Sequence, residues 1–137
     1  MHSFELLEHT ADVGVRARGE SLGELAVACA EGLFAVIVEE GAVREERSVA
    51  IEVAAESAEE LVHEWLRELL FRFGAEGLVF GRFEVEAAGP TRLRATCHGE
   101  RFDPARHGGT EVKAVTYHEF AVEQTAEGWT AEVLFDI

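Results

Sequence analysis

The sequence predicts a single α+β domain over residues 1–137, a compact sandwich of antiparallel or mixed β-sheet with two helices packed on it. Three observations carry this. Apolar residues recur at helical spacing in only two stretches, each opened by a capping signal. Most of the remaining chain alternates apolar and polar residues with period two. The length of 137 residues, 47% hydrophobic and 28% charged, suits one domain that buries a core without disulfides or a structural metal.

Residues 4–8 and 13–17 read as strands. Ser21-Leu22-Gly23-Glu24 is a capping box, in which serine and glutamate satisfy each other's orphan backbone donors. It opens a first helix expected over Ser21–Val38, with Leu22, Leu25, Ala26, Cys29, Leu33, Val36 and Ile37 on one face. Val49, Ile51 and Val53 form one face of a strand. A second box, Ser57-Ala58-Glu59-Glu60, opens a helix expected over Ser57–Phe73, with Gly74 and Gly77 as stop signals. Each helix should lay one apolar stripe on a sheet. Phe83, Val85 and Ala87 alternate into a turn at Gly89-Pro90, and Leu93, Ala95 and Cys97 return. Residues 99–110 are the one long irregular stretch. Phe120 and Val122 lead to a turn at 125–128, and Trp129, Ala131, Val133 and Phe135 form the last strand.

Charge excludes whole function classes. Lys+Arg is 12 and Asp+Glu is 27, a net charge of −15, so neither a stable nucleic-acid surface nor docking on anionic lipid is expected. The beginning of the chain has no signal-peptide pattern and no apolar run reaches transmembrane length, which predicts a cytoplasmic protein. Cys29 and Cys97 lie in apolar-patterned segments and read as buried, reduced thiols. The chain has no Asn and one Gln; its only lysine is Lys113 and its only aspartates are Asp12, Asp103 and Asp136. In a chain that defaults to Glu and Arg, those few positions either mark where a short carboxylate or a point charge is wanted or fall where they do by chance.

They fall in three clusters. The first is His9-Thr10-Ala11-Asp12-Val13-Gly14, between two strands. Asp12 there is either a turn cap or an oxygen ligand for a hard cation. The second is Phe135-Asp136-Ile137, where Asp136 and the oxygens of Ile137 end an apolar strand. If the last strand pairs beside the first ones, Asp12 and Asp136 converge, and their oxygens suit Ca²⁺, or Mg²⁺, completed by water. The third cluster is Asp103, His107, Glu111, Lys113, Thr116 and His118. It reads as a polar loop, an acid–base site or a partner surface. Zinc through His98, His107 and His118 matches no compact spacing, and no P-loop, nucleophile-elbow or dinucleotide fingerprint is present.

These clusters, in this order and at this length, resemble the archease family. The matching segments are His9–Gly14, Leu69-Leu70-Phe71, the 99–107 loop, Glu111-Val112-Lys113-Ala114-Val115-Thr116-Tyr117-His118 and Phe135-Asp136-Ile137. The resemblance implies an accessory protein, not an enzyme. Its partner would be an RtcB-type RNA ligase that joins tRNA exon halves, and it would promote that ligase's guanylylation and repeated turnover. It also implies a divalent cation, calcium first and magnesium second, on Asp12, Asp136 and Ile137. His9, Asp103, His107, Glu111, Lys113, Thr116 and His118 would then face the ligase. The rival readings are a small metal-dependent hydrolase using Asp12, Asp136 and His118, and a general acidic chaperone.

Overall fold

A computed structural model describes residues 1–8, 12–39 and 41–137. The elements run β1 Ser3–Glu8, β2 Asp12–Gly19, α1 Leu22–Ile37, β3 Arg47–Ala54, α2 Ala58–Glu76, β4 Leu78–Gly89, β5 Arg92–Arg101, a short α3 Pro104–His107, β6 Ala114–Val115, β7 Ala121–Thr125 and β8 Gly128–Asp136. The strands form two sheets with every pairing antiparallel. One sheet has the order β1-β2-β8-β6, with β7 also on β8; the other is β3-β5-β4. The α+β sandwich with two main helices is as expected.

Both capping boxes work as helix starts. The Ser21 hydroxyl accepts from Glu24 N–H at 3.1 Å, and the Ser57 hydroxyl from Glu60 N–H at 3.2 Å. The second helix runs one turn beyond the expected Phe73. Gly74 is tolerated inside it, and the helix stops where Gly77 turns left-handed (φ 68°) and donates its N–H back to the last turn.

The first helix departs further from expectation. Its predicted stripe is buried, but so are Ala28, Ala30, Gly32 and Phe34. It packs against β2 of one sheet and β4 of the other, so it is wrapped on two sides rather than laid on one. Gly32 permits this closeness, because a Cβ there would sit 2.6 Å from Val15 Cγ1. Trp65 of α2 locks the helices together by donating its indole N–H to Ala26 O at 2.9 Å. Both cysteines are free, and burial pushes their thiols up to about 12. Among the described residues no helix is long and apolar enough to cross a membrane.

Residues 99–110 are not one long loop. Gly99–Arg101 finish β5, and Asp103-Pro104 starts α3. The cause is local: the Asp103 carboxylate accepts from Ala105 N–H at 3.0 Å, and proline at the first turn needs no donor.

Candidate functional site

The strand order settles the geometry of the first two clusters. Asp12 opens β2, Asp136 closes β8, and the two are direct partners across the antiparallel ladder. Directly opposed residues project on the same face with Cβ atoms about 5 Å apart. The other edge of β8 is held by the third cluster. Lys113 N–H donates to Asp136 O at 2.7 Å, Ala114 pairs with Asp136, and Thr116 N–H donates to Leu134 O at 3.0 Å. Segments more than a hundred residues apart in sequence thus meet at one end of β8. His9 lies outside the described residues.

Like charges directly opposed across a ladder destabilise it. A cation shared by Asp12 and Asp136 would reverse that term, and Ile137 supplies an adjacent main-chain oxygen. Hard oxygen donors of this kind fit Ca²⁺ or Mg²⁺ and not a soft ion. Among the described residues, no three His, Cys, Asp or Glu side chains come together as a metal cluster. The groups that could hold such an ion are the Asp12 and Asp136 carboxylates and a main-chain oxygen of Ile137. His98 is engaged with Ser48 at 2.8 Å and with Glu84, so the three histidines weighed for zinc do not gather.

The third cluster divides. Lys113, Glu111 and His118 are exposed and Thr116 is half-buried, its hydroxyl directed at His118 O at 3.5 Å. His107 is fully buried, which removes it from any contact surface. Its Nδ1 accepts from Asp103 N–H at 2.9 Å, so the ring proton sits on Nε2 and points to Glu100 at 3.1 Å. Asp103 is exposed, but its carboxylate caps α3. These two residues shape the loop.

Glu100 is the group that sequence reasoning missed. Its carboxylate is buried and accepts from Arg44 N–H at 2.6 Å, from His107, and from the Arg106 guanidinium. Arg106 also reaches Ala42 O at 3.2 Å. Burial pushes the Glu100 carboxyl up, but the Arg44 N–H, Arg106 and His107 outweigh it and hold the group at about 2. One buried acid thus ties α3 to the chain that follows α1.

A second missed feature lies under Tyr117. His63 of α2 is buried, and Tyr117 stacks flat on it with centroids 3.8 Å apart and planes 7° apart. Phe120 meets the imidazole edge-on at 5.0 Å. Among the described residues neither His63 ring nitrogen completes a hydrogen bond, although the Val115 and Thr116 backbone lies close. Burial is the main cause that holds this histidine below its ordinary value, and therefore neutral. The turn that carries Tyr117 is tight, with Glu119 left-handed at φ 54° and Phe120 N–H bonded to Tyr117 O at 3.2 Å.

An α+β domain of this topology, with an acidic strand-end site assembled from distant segments, defines a class that comparison with known proteins names. The archease protein family model matches residues 4–137. The chain is 42% identical over 142 residues to protein archease of Pyrococcus furiosus, covering 100% of both. It is 38% identical to protein archease of Methanosarcina acetivorans, covering 98% of this chain and 95% of that one. The solution structure of Methanobacterium thermoautotrophicum protein 1598 superposes with a TM-score of 0.83 at 31% identity, over 98% of both chains. The crystal structure of a Thermotoga maritima archease, described there as a possible chaperone, shares the fold with a TM-score of 0.66 at 24% identity over 96% of this chain and 94% of that one. This chain belongs to the archease family.

Proposed function

We propose that this protein is an accessory factor of an RtcB-type RNA ligase, promoting the ligase's guanylylation and its repeated turnover in tRNA exon ligation, with no catalysis of its own. The observation that carries the reading is the meeting of three family-like motifs at one strand end: Asp12 opposite Asp136, with Lys113 bonded beside them. Membership of the archease family over residues 4–137 supports it.

The charge gives the reading a physical route. A ligase needs a cationic groove for RNA, and a domain of net charge −15 is steered to such a surface while repelling RNA itself. Asp12, Asp136 and the main-chain oxygen of Ile137 would hold a divalent cation, calcium or else magnesium, with water filling the other positions. Three protein ligands imply weak binding, toward ~10⁻⁴–10⁻³ M. The ion would cancel the repulsion between the two carboxylates and fix the end of β8. Glu111, Lys113, Thr116 and His118 would contact the ligase beside it, with His9 and Asp103 at the margin.

The test is a ligation time course with RNA in excess over the cognate ligase, with and without this protein, while following guanylylation with GTP. The expected result is conversion of a single round into many, with association that weakens as salt rises. No response of either reaction would refute the accessory role. Turnover of phosphoesters by the isolated protein would favour a hydrolase instead.

A further inference from the structure

A groove runs between α2 and the segment entering β6, lined by Arg67, Leu70, Phe71, Lys113, Ala114 and Val115, with a volume of about 280 Å³. Acids outnumber bases 27 to 12 in this chain, yet among the described residues no carboxylate lines the groove. Phe71 is 61% exposed, although the buried stripe of α2 ends only two residues earlier, at Leu69. Arg67 is paired with Glu64 at 2.7 Å, one turn back along α2. Lys113 makes no ion pair among the described residues.

The aromatic stack lies further back along the same helix. His63, Arg67 and Phe71 are spaced four residues apart, so they form one row on α2, about 12 Å long. Facing that row are Lys113 and Val115 at the groove and Tyr117 over His63. Tyr117 is 66% exposed, with its rear face fixed by the imidazole. Phe71, one of the exposed large hydrophobic residues of the described chain, lines the groove, and Tyr117, another, lies over His63 further along the same row.

We infer that this groove docks a short segment of a protein partner that carries a carboxylate beside an apolar side chain. The apolar group packs on Leu70 and Phe71, and the carboxylate pairs with Lys113. The inference deepens the accessory reading and rests on the chain docking a protein partner. The overall negative charge brings a basic partner near, and the local reversal of sign sets its orientation. Aromatic and cationic groups also suit nucleic acid, but a net charge of −15 opposes a polyanion.

The experiment is an amide NMR titration of the full chain with three probes: an acetylated peptide alternating glutamate and leucine, the same peptide with lysine for glutamate, and oligouridylate. The acidic peptide should shift the amides of residues 67–71 and 113–117. Phe71→Ser and Lys113→Glu should each weaken it about five- to thirtyfold, and Lys113→Arg should retain it. Both positions are exposed, and unchanged melting temperatures confirm that the variants fold. Equal shifts with the basic peptide, stronger binding of oligouridylate, or no shift in the groove would each overturn the inference. Because the peptides need no ligase, failure of the ligase assay and failure of the groove are read separately. With the ligase, the groove predicts that Lys113→Glu weakens association, whereas steering by net charge alone predicts that it strengthens it.

Discussion

The opposed pair Asp12 and Asp136 yields a test in which the sign of an effect must reverse. The perturbation is Asp136→Asn, which keeps the shape of an exposed side chain and leaves the main-chain bond from Lys113 intact. In chelator, removing one of two like charges across a ladder should stabilise the protein by about 0.2–1 kcal/mol. For a domain of this size that raises the melting temperature by up to about 4 °C. In about 10 mM calcium, a site of ~10⁻⁴–10⁻³ M stabilises the unsubstituted protein by about 1.4–2.7 kcal/mol, and the variant loses this. The order of the two proteins should therefore invert between chelator and calcium, read by thermal unfolding followed by circular dichroism. A melting temperature that ignores calcium, or a variant less stable in both buffers, would refute the reasoning.

Other perturbations probe the supports around the site. Glu100→Ala strands the Arg44 N–H and the buried His107 N–H, at about 1–3 kcal/mol each, so urea unfolding should report a loss of about 2–6 kcal/mol; a change under about 0.5 kcal/mol would mean that water replaces the carboxylate. Because the Glu100 carboxyl is held at about 2 against an ordinary 4.5, its contribution is present above pH 4.5 and is lost as pH falls through about 2. His63 has the opposite charge type with the same outcome: the unfolded chain takes its proton near pH 6.5, the folded ring resists it, and stability falls as pH drops below 6.5. His63→Leu should flatten that slope between pH 5 and 7, and an unchanged slope would assign it elsewhere. Gly109→Ala combines φ 98° with a Cβ placed 1.9 Å from Ile37 O, so it should cost more than about 2 kcal/mol and displace Lys113, lowering ligase activation. Gly74→Ala meets nothing within 4 Å and should be neutral or stabilising by up to about 1 kcal/mol in the same assays.

Local signals explain what could be read without coordinates. The helix starts were legible because Ser21–Glu24 and Ser57–Glu60 encode their own caps. The turn expected at Gly89-Pro90 lies one residue on, at Pro90-Thr91, because Gly89 still pairs with Arg92, and the last strand is legible from its alternation. The burial of α1 on two sides was not, because Ala28, Ala30 and Gly32 read as a neutral face and only the second sheet makes them core. Glu100 was hidden by the alternation itself. Leu93, Ala95, Cys97 and Gly99 point inward, so the next residue should face water; instead Arg106 and His107 fold back over it. The same limit applies to His63, whose cover comes from Tyr117 and Phe120 more than fifty residues later. The meeting of Asp12 with Asp136 could only be posed as a condition, since residue types do not state strand order. Asp103-Pro104 does carry a helix-start signal, a capping carboxylate before a proline, inside the stretch whose composition otherwise reads as irregular.

The placement of β8 bears on how the molecule is made. It is the last strand in sequence, yet it lies inside its sheet, between β2 and β6 with β7. The other sheet, with α2, is complete by Arg101 and can form while the chain is still emerging. Until residue 136 arrives, β2 has β1 on one side and an open edge on the other, and Asp12 has no carboxylate opposite it. Closing that gap spans nearly the whole chain, a slow, non-local step. The Asp12–Asp136 pairing therefore forms only once β8 has joined the sheet, so a chain stalled before β8 would lack that acidic strand end.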